Sequence, residues 1–378
     1  NVCEEEVLVS LIDPILDKAL RGERLTFEDG LMLYESDEIE KIGQAANILK
    51  QKLHPEPITT FVIGRNINYS NICDTYCRFC AFYKKPGEEG GYVLSNEEVL
   101  KKIQELINVG GTEVLMQGGT HPDLPFKYYL DLLKEIKRHF PKIHMHSFSP
   151  AEVMKMKEVS GLSLEETLRQ LHQAGLDSLP GAGAEILDDR TRMKISKKKG
   201  SWREWVNVMI TANRIGMTTS GTMVIGFGES MEERVLHLIR LRDAQDVGKR
   251  FLAFIPWTFQ PDNTNMKAEK VKPEEYLKTV AISRLMLDNI PNIQSSWVTV
   301  GAEIGKQSLF YGCNDFGSTM MEENVVSAAG TTHKVNTNRI IKLINEAGFV
   351  AAQRNTKYEI LRVFKQGEHM ENDFVMQN

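Results

Sequence analysis

The sequence predicts an α/β chain whose centre is a (β/α)8 barrel, with a helical cap before it and a short extension after it. Three observations carry that prediction. Short apolar or β-branched runs alternate with longer amphipathic segments, giving eight candidate strands. Such repetition implies a parallel sheet, and eight strands favour a closed barrel over an open sheet. No G-x-G-x-x-G follows the first strand, which weakens a dinucleotide-binding alternative.

The cap is read over residues 1–57. Val7, Leu8, Leu11, Ile12, Ile15 and Leu16 recur at helical spacing. Leu31–Leu33 mark a second helix, Ile39, Ile42, Ala45, Ala46 and Leu49 a third, and Pro55 and Pro57 end the segment. The barrel is read over 58–330, with strands at Thr59–Ile63, Glu113–Met116, Ile143–Phe148, Leu176–Leu179, Thr218–Ile225, Phe251–Ile255, Gln294–Val300 and near Cys313–Phe316. Ser95, Ser163, Ser201 and Ser230 each precede a Glu by three residues, the spacing of a reciprocal helix cap. Pro273 suits a first helical turn, and Gly110, Gly175 and Gly216 suit helix ends. The extension, 331–378, holds one helix (Asn338–Ala347) and one apolar run (Tyr358–Phe364) and is expected to pack on the barrel.

Bulk properties bound the function. The 378 residues carry a net charge of −5, which gives no electrostatic footprint for nucleic acid. The basic run Lys194–Lys199 reads as a solvated loop. No apolar run approaches the ~20 residues of a membrane helix, so membrane insertion is not expected. The acidic start (Glu4–Glu6) does not read as a secretory signal. Five cysteines, three of them within eight residues, suit metal binding better than disulfides and imply a reducing, cytoplasmic compartment. Phosphate-loop, zinc-protease and nucleophile-elbow motifs do not occur.

The sharpest motif is Cys73-Asp-Thr-Tyr-Cys77-Arg-Phe-Cys80, in the loop after the first strand. In a barrel that loop lies at the C-terminal mouth, where catalytic groups collect. Three thiolates can hold three corners of an iron–sulfur cube, whereas full protein ligation takes four. Cys3 and Cys313 have no matching spacing, so one iron stays open to a reactant. A zinc site completed from elsewhere, redox or buried cysteines, and an electron-transfer cluster with a distant fourth ligand are the competing readings.

The pattern Cys73-x3-Cys77-x-Phe79-Cys80 resembles the signature of the radical S-adenosylmethionine (SAM) superfamily. That resemblance implies a [4Fe–4S] cluster on Cys73, Cys77 and Cys80 whose open iron chelates SAM and cleaves it to a 5′-deoxyadenosyl radical. Gln117-Gly118-Gly119 after the second strand, Thr222-x-Val224-x-Gly226-x-x-Glu229 after the fifth and Phe254-Ile255-Pro256 on the sixth are similar to the family's methionine- and adenine-contacting segments.

A narrower resemblance runs from about Phe61 onward. Cys80–Tyr83, Met116–Leu124, His146–Pro150, Ser178–Glu185 and Asn314–Glu323 look like the menaquinone-pathway and deazaflavin-synthase branch. Ile255–Pro261 looks most like its futalosine-cyclising family, with aminofutalosine and deazaflavin synthases as the alternatives. Thr120 and Ala182 depart from the expected Leu and Gly. The implied substrate is dehypoxanthine futalosine, cyclised after abstraction of its ribose C4′ hydrogen. The implied partner is a low-potential electron donor such as flavodoxin or ferredoxin. By the same resemblance Tyr83, Gln117, Gly118, Gly119, Ser149, Glu185, Arg190, Gly226 and Ile255 are expected at the cofactor. Ser178, Trp257, Asp315 and Arg354 are expected at the substrate, and His121, Asp123 and Glu322 or its neighbour Glu323 in catalysis.

Overall fold

Residues 10–374 are described by the computed structural model. Val7, Leu8 and Cys3 lie outside them. Among the described residues the cap forms three helices, Asp13–Leu20, Phe27–Glu35 and Ile39–Leu53. Thr26 and Asp29 cap the second reciprocally. The third packs Ile42, Ala45 and Ala46 inward, its apolar stripe lying against the helix Pro273–Met286.

Eleven strands follow in chain order: β1 (Ile58–Val62), β2 (Gly64–Ile67), β3 (Glu113–Met116), β4 (His144–Ser147), β5 (Ser178–Leu179), β6 (Thr218–Ile225), β7 (Phe251–Thr258), β8 (Asn292–Ile293), β9 (Asp315–Ser318), β10 (Val350–Arg354) and β11 (Ile360–Val363). β2 to β8 form a parallel seven-stranded sheet in sequence order. β9 pairs in parallel with β1, and Gln294 bridges Asp315. With β1 and β2 nearly continuous, the strands curl through a full turn into the expected barrel. Among the described residues no helix is long and apolar enough to cross a membrane.

Ser95, Ser201 and Ser230 make the reciprocal caps the sequence predicts, whereas Ser163 accepts from Glu166 N without the return bond. A further box, Ser149–Glu152, opens the helix Pro150–Ser160. Gly110, Gly175 and Gly216 all have positive φ at helix ends.

Two expected strands need correction, and the extension supplies a strand that was not expected. Thr59–Ile63 is not one strand leading into the cysteine loop. It breaks at Ile63, β1 joining β9 and β10 while β2 joins β3. Within Gln294–Val300 the chain leaves the sheet early, and Trp297–Val300 is a helical turn closed by Gly301 at φ 87°. Its β-forming residues are overruled by tertiary contacts: Ser296 N bonds the Tyr276 hydroxyl, and Trp297 Nε1 bonds the Ser318 carbonyl. In the extension, Val350–Arg354 forms β10, parallel to β1, and β11 pairs antiparallel with it. The extension therefore contributes strands beside the first barrel strand.

Candidate active site

The barrel encloses a cavity of about 410 Å³. Its walls carry Cys73, Cys77 and Cys80, and also Tyr83, Gln117, Gly118, Gly119, Ser149, Ser178, Glu185, Ile255, Trp257 and Arg354. Residues far apart in sequence meet because they come from β5, β7 and β10 and from the loops that follow β2, β3, β4 and β5.

The cysteine loop is held by backbone bonds. Cys73 N donates to Lys84 O (3.0 Å), Asp74 N to Thr120 O (3.1 Å) and Arg78 N to Ile195 O (2.9 Å). Gly119 is required by close approach: a Cβ there would lie 2.5 Å from Cys73 Cβ and 2.6 Å from Ile72 O. At Gly118 it would lie 2.5 Å from the Tyr69 ring. Thr120, a departure from the family pattern, touches the site directly. Its Oγ1 lies 3.3 Å from Cys73 Sγ and donates to Asp74 Oδ1 (2.7 Å).

Burial pushes the Cys77 thiol up to about 11, against the opposing pull of the Lys199 charge and the Ser196 hydroxyl. Burial also raises Cys80, while backbone N–H groups of Phe82 and Tyr83 point at its sulfur. Such N–H···S contacts are ones by which proteins tune iron–sulfur groups. Among the described residues no three His, Cys, Asp or Glu side chains converge as a single ion requires. Three thiols on one wall suit a cube, which gives each thiolate its own iron.

Two buried polar atoms beside the thiols lack partners: Gln117 Nε2 and Glu185 Oε2. One is a donor and the other an acceptor, a complement for a ligand carrying both a carboxylate and an amine or hydroxyls. The other Glu185 oxygen takes Lys199 Nζ at 2.6 Å, and Lys199 also covers the Phe79 ring at 4.7 Å. Glu152, overlooked in the sequence, accepts from the Tyr69 hydroxyl (2.6 Å), Gly118 N (2.9 Å) and Ser149 N (2.7 Å). It thereby fixes the glycine turn from behind. Its S-x-x-E spacing was the signal that could have found it. The donors, acceptors and thiols fit a [4Fe–4S] cluster with SAM.

Deeper in, His146 is the cavity's imidazole. Ser178 Oγ lies 2.7 Å from both His146 Nδ1 and His144 Nε2. Burial first, then the Arg354 charge, push His146 down to about 3, so it is neutral near pH 7. At the floor Arg354 meets Asp315, Nε to Oδ2 at 2.5 Å and Nη2 to Oδ1 at 3.0 Å, under the Tyr358 ring.

Other expected site residues lie off the cavity wall. His121 accepts from Asp123 N (3.1 Å) within its own turn, and Asp123 is exposed. Glu322 turns outward to Arg65 (2.7 Å) and Lys102 (2.8 Å). Its neighbour Glu323 faces inward, raised by burial although it accepts the N–H groups of Val325, Val326 and Ser327. Arg190 is exposed and pairs with Glu233 (3.0 Å). Gly226 N donates to Glu229 (3.0 Å), shaping a turn whose neighbours Val224 and Phe227 reach the cavity.

A sequence profile described as "Radical SAM superfamily" matches residues 67–240, and one described as "CofH/MqnC C-terminal region" matches 248–367. A cyclic dehypoxanthine futalosine synthase of Halalkalibacterium halodurans is 66% identical over 97% of this chain and 100% of its own. The chain belongs to the radical SAM superfamily. Enzymes of this superfamily use a [4Fe–4S] cluster and SAM. An aminodeoxyfutalosine synthase of Thermus thermophilus is 36% identical over 94% of this chain and 97% of its own. The FeFe-hydrogenase maturase HydG from Carboxydothermus hydrogenoformans has a similar fold, with a TM-score of 0.72 at 16% identity over 92% of this chain and 80% of that one.

Proposed function

We propose that this enzyme cyclises dehypoxanthine futalosine in the futalosine route to menaquinone, drawing electrons from a low-potential carrier such as flavodoxin or ferredoxin. The observation that carries the reading is one continuous cavity with thiols, unpartnered polar atoms and a neutral imidazole on its walls, in a chain 66% identical to a synthase of that name.

When bound, a [4Fe–4S] cluster with SAM would supply the radical chemistry needed to activate the ribose C4′–H bond. The chain's own task is positioning. Cys73, Cys77 and Cys80 would hold the cluster, while Gln117, the Gly118–Gly119 turn, Ser149, Glu185, Tyr83 and Ile255 would hold SAM. Trp257 and Ser178 line the remaining space for the substrate, so that its ribose carbon and its benzoate ring stay in contact. Holding reacting atoms in that way is worth about 7–11 kcal/mol of barrier at best. The ring-closed radical would then have to give up a proton to a base and one electron to the oxidised form of the same one-electron carrier. His146 is the neutral base that faces the cavity, and Ser178 and His144 lead the proton away.

The test is anaerobic iron–sulfur reconstitution followed by product analysis. 5′-Deoxyadenosine and a cyclised product should appear together when dehypoxanthine futalosine is added, and Cys77→Ala should lose both iron and turnover. Turnover of an aminodeoxyfutalosine-synthase substrate in its place would overturn the assignment.

A further inference from the structure

The basic run Lys194–Lys199 does not float free. Arg78 N donates to Ile195 O (2.9 Å), Arg78 Nη1 to Lys194 O (3.1 Å) and Lys198 Nζ to Asp74 O (3.1 Å). Ser196 Oγ lies 3.1 Å from Cys77 Sγ. The run is thus fastened over the cysteine loop. Lys199 turns in to Glu185, while Lys194, Lys197 and Lys198 stay exposed.

Tyr76 lies at the centre of this face, one residue before Cys77. It is 36% exposed and held in the left-handed backbone region at φ 56°. Lys198 Nζ lies 4.5 Å and Lys85 Nζ 5.9 Å from its ring centre. Arg78, Lys85, Lys194, Lys197 and Lys198 are all exposed, and among the described residues none forms an ion pair. Nearby acids are already engaged, Asp74 with Lys155 and Glu88 with Lys84, leaving Glu89. A chain of net charge −5 therefore carries a concentrated positive face over its cysteine loop.

From this we infer that the face around Tyr76 is the docking surface for an acidic flavodoxin-type carrier, whose flavin edge meets the Tyr76 ring. The inference rests on the cluster reading proposed above. Unpaired cations attract an acidic partner and orient it before contact. An exposed flat ring suits the planar flavin edge. Consecutive Cα atoms are about 3.8 Å apart, so Tyr76 brings a docked flavin next to a cluster-bound thiolate.

The test uses reconstituted enzyme, a purified flavodoxin and the triple variant Lys85→Glu, Lys194→Glu, Lys197→Glu. None of these side chains lines the cavity, and Lys85 touches the cysteine loop only through its 5.9 Å approach to the Tyr76 ring. Reduction of the cluster by reduced flavodoxin should slow about tenfold or more at low salt in the variant. Reduction by dithionite should not change. Binding of oxidised flavodoxin should weaken with salt in the wild type and be lost in the variant, a readout independent of cluster loading. The reversal Lys365→Glu, in the turn that follows β11, should leave all of these unaltered. Equal flavodoxin rates and equal, salt-insensitive binding in wild type and variant would overturn the docking surface. The cluster reading is judged separately, by iron content and electron paramagnetic resonance of the wild type.

Discussion

Arg354 and Asp315 form a two-pronged ion pair, fully buried, at the floor of the barrel cavity, tying the extension to the last barrel strand. Asp315 also accepts from Thr60 on β1 (2.6 Å). Removing one member of a buried pair leaves the other charge uncompensated. Arg354→Ala should therefore lower stability by about 3–5 kcal/mol, read from denaturant midpoints. The double change Arg354→Met, Asp315→Leu should recover much of that loss. If Arg354 instead served the substrate alone, stability would hold and only the substrate KM would rise.

Lys199 and Glu185 make a second buried pair, this one beside the thiols. Burial pulls the Lys199 ammonium down, but the Glu185 and Cys77 charges outweigh it and hold it charged. Lys199→Met should weaken SAM binding by about tenfold or more, equivalent to about 1.4 kcal/mol. Iron content should persist. SAM titrations on the reconstituted protein measure both, and Lys199→Arg should restore part of the affinity.

His146→Gln should separate two steps. A general base contributes roughly 10²–10⁴-fold to its step. Cyclised product should fall by about that factor, while substrate-triggered 5′-deoxyadenosine formation remains. Loss of both in parallel would assign His146 to substrate binding.

Acid should destabilise the fold through its buried imidazoles. Burial lowers His144 to about 4 and both His146 and His237 to about 3. Below the ordinary value of about 6.5 the unfolded chain binds protons that the folded chain refuses. The stability these groups contribute is complete above about 6.5 and declines as pH falls toward 4 and then 3. Glu152 and Glu323, raised by burial, act in the opposite sense. Thermal midpoints should thus fall between pH 7 and pH 5.5. A His144→Gln, His146→Gln protein should show a shallower fall, and an equal slope would place the acid sensitivity elsewhere.

The alternation of strands and helices was legible because its signals are local. A Ser three residues before a Glu, a glycine at a helix end and an apolar period depend only on near neighbours. The C-x3-C-x2-C loop was legible for the same reason, its three thiols being fixed by a single turn of chain. Gln294–Val300 misled because its β-forming residues answer to Tyr276 and Ser318, which no local window contains. Glu322 and Glu323 are adjacent, and which of them faces inward depends on where Arg65 and Lys102 wait outside. His121 looked like a loop ligand but is satisfied within its own turn.

By itself the sequence determined the barrel, the three-thiol loop and the family, since each is written in short stretches of residue type and spacing. Only the tertiary structure decided that Arg354 is spent on Asp315, that Glu185 is shared with Lys199, that His146 faces the cavity and that a lysine run is fastened over the cysteine loop. Those are contacts between strands and loops far apart in the chain. Their geometry follows from how the barrel closes, and barrel closure has no local signature.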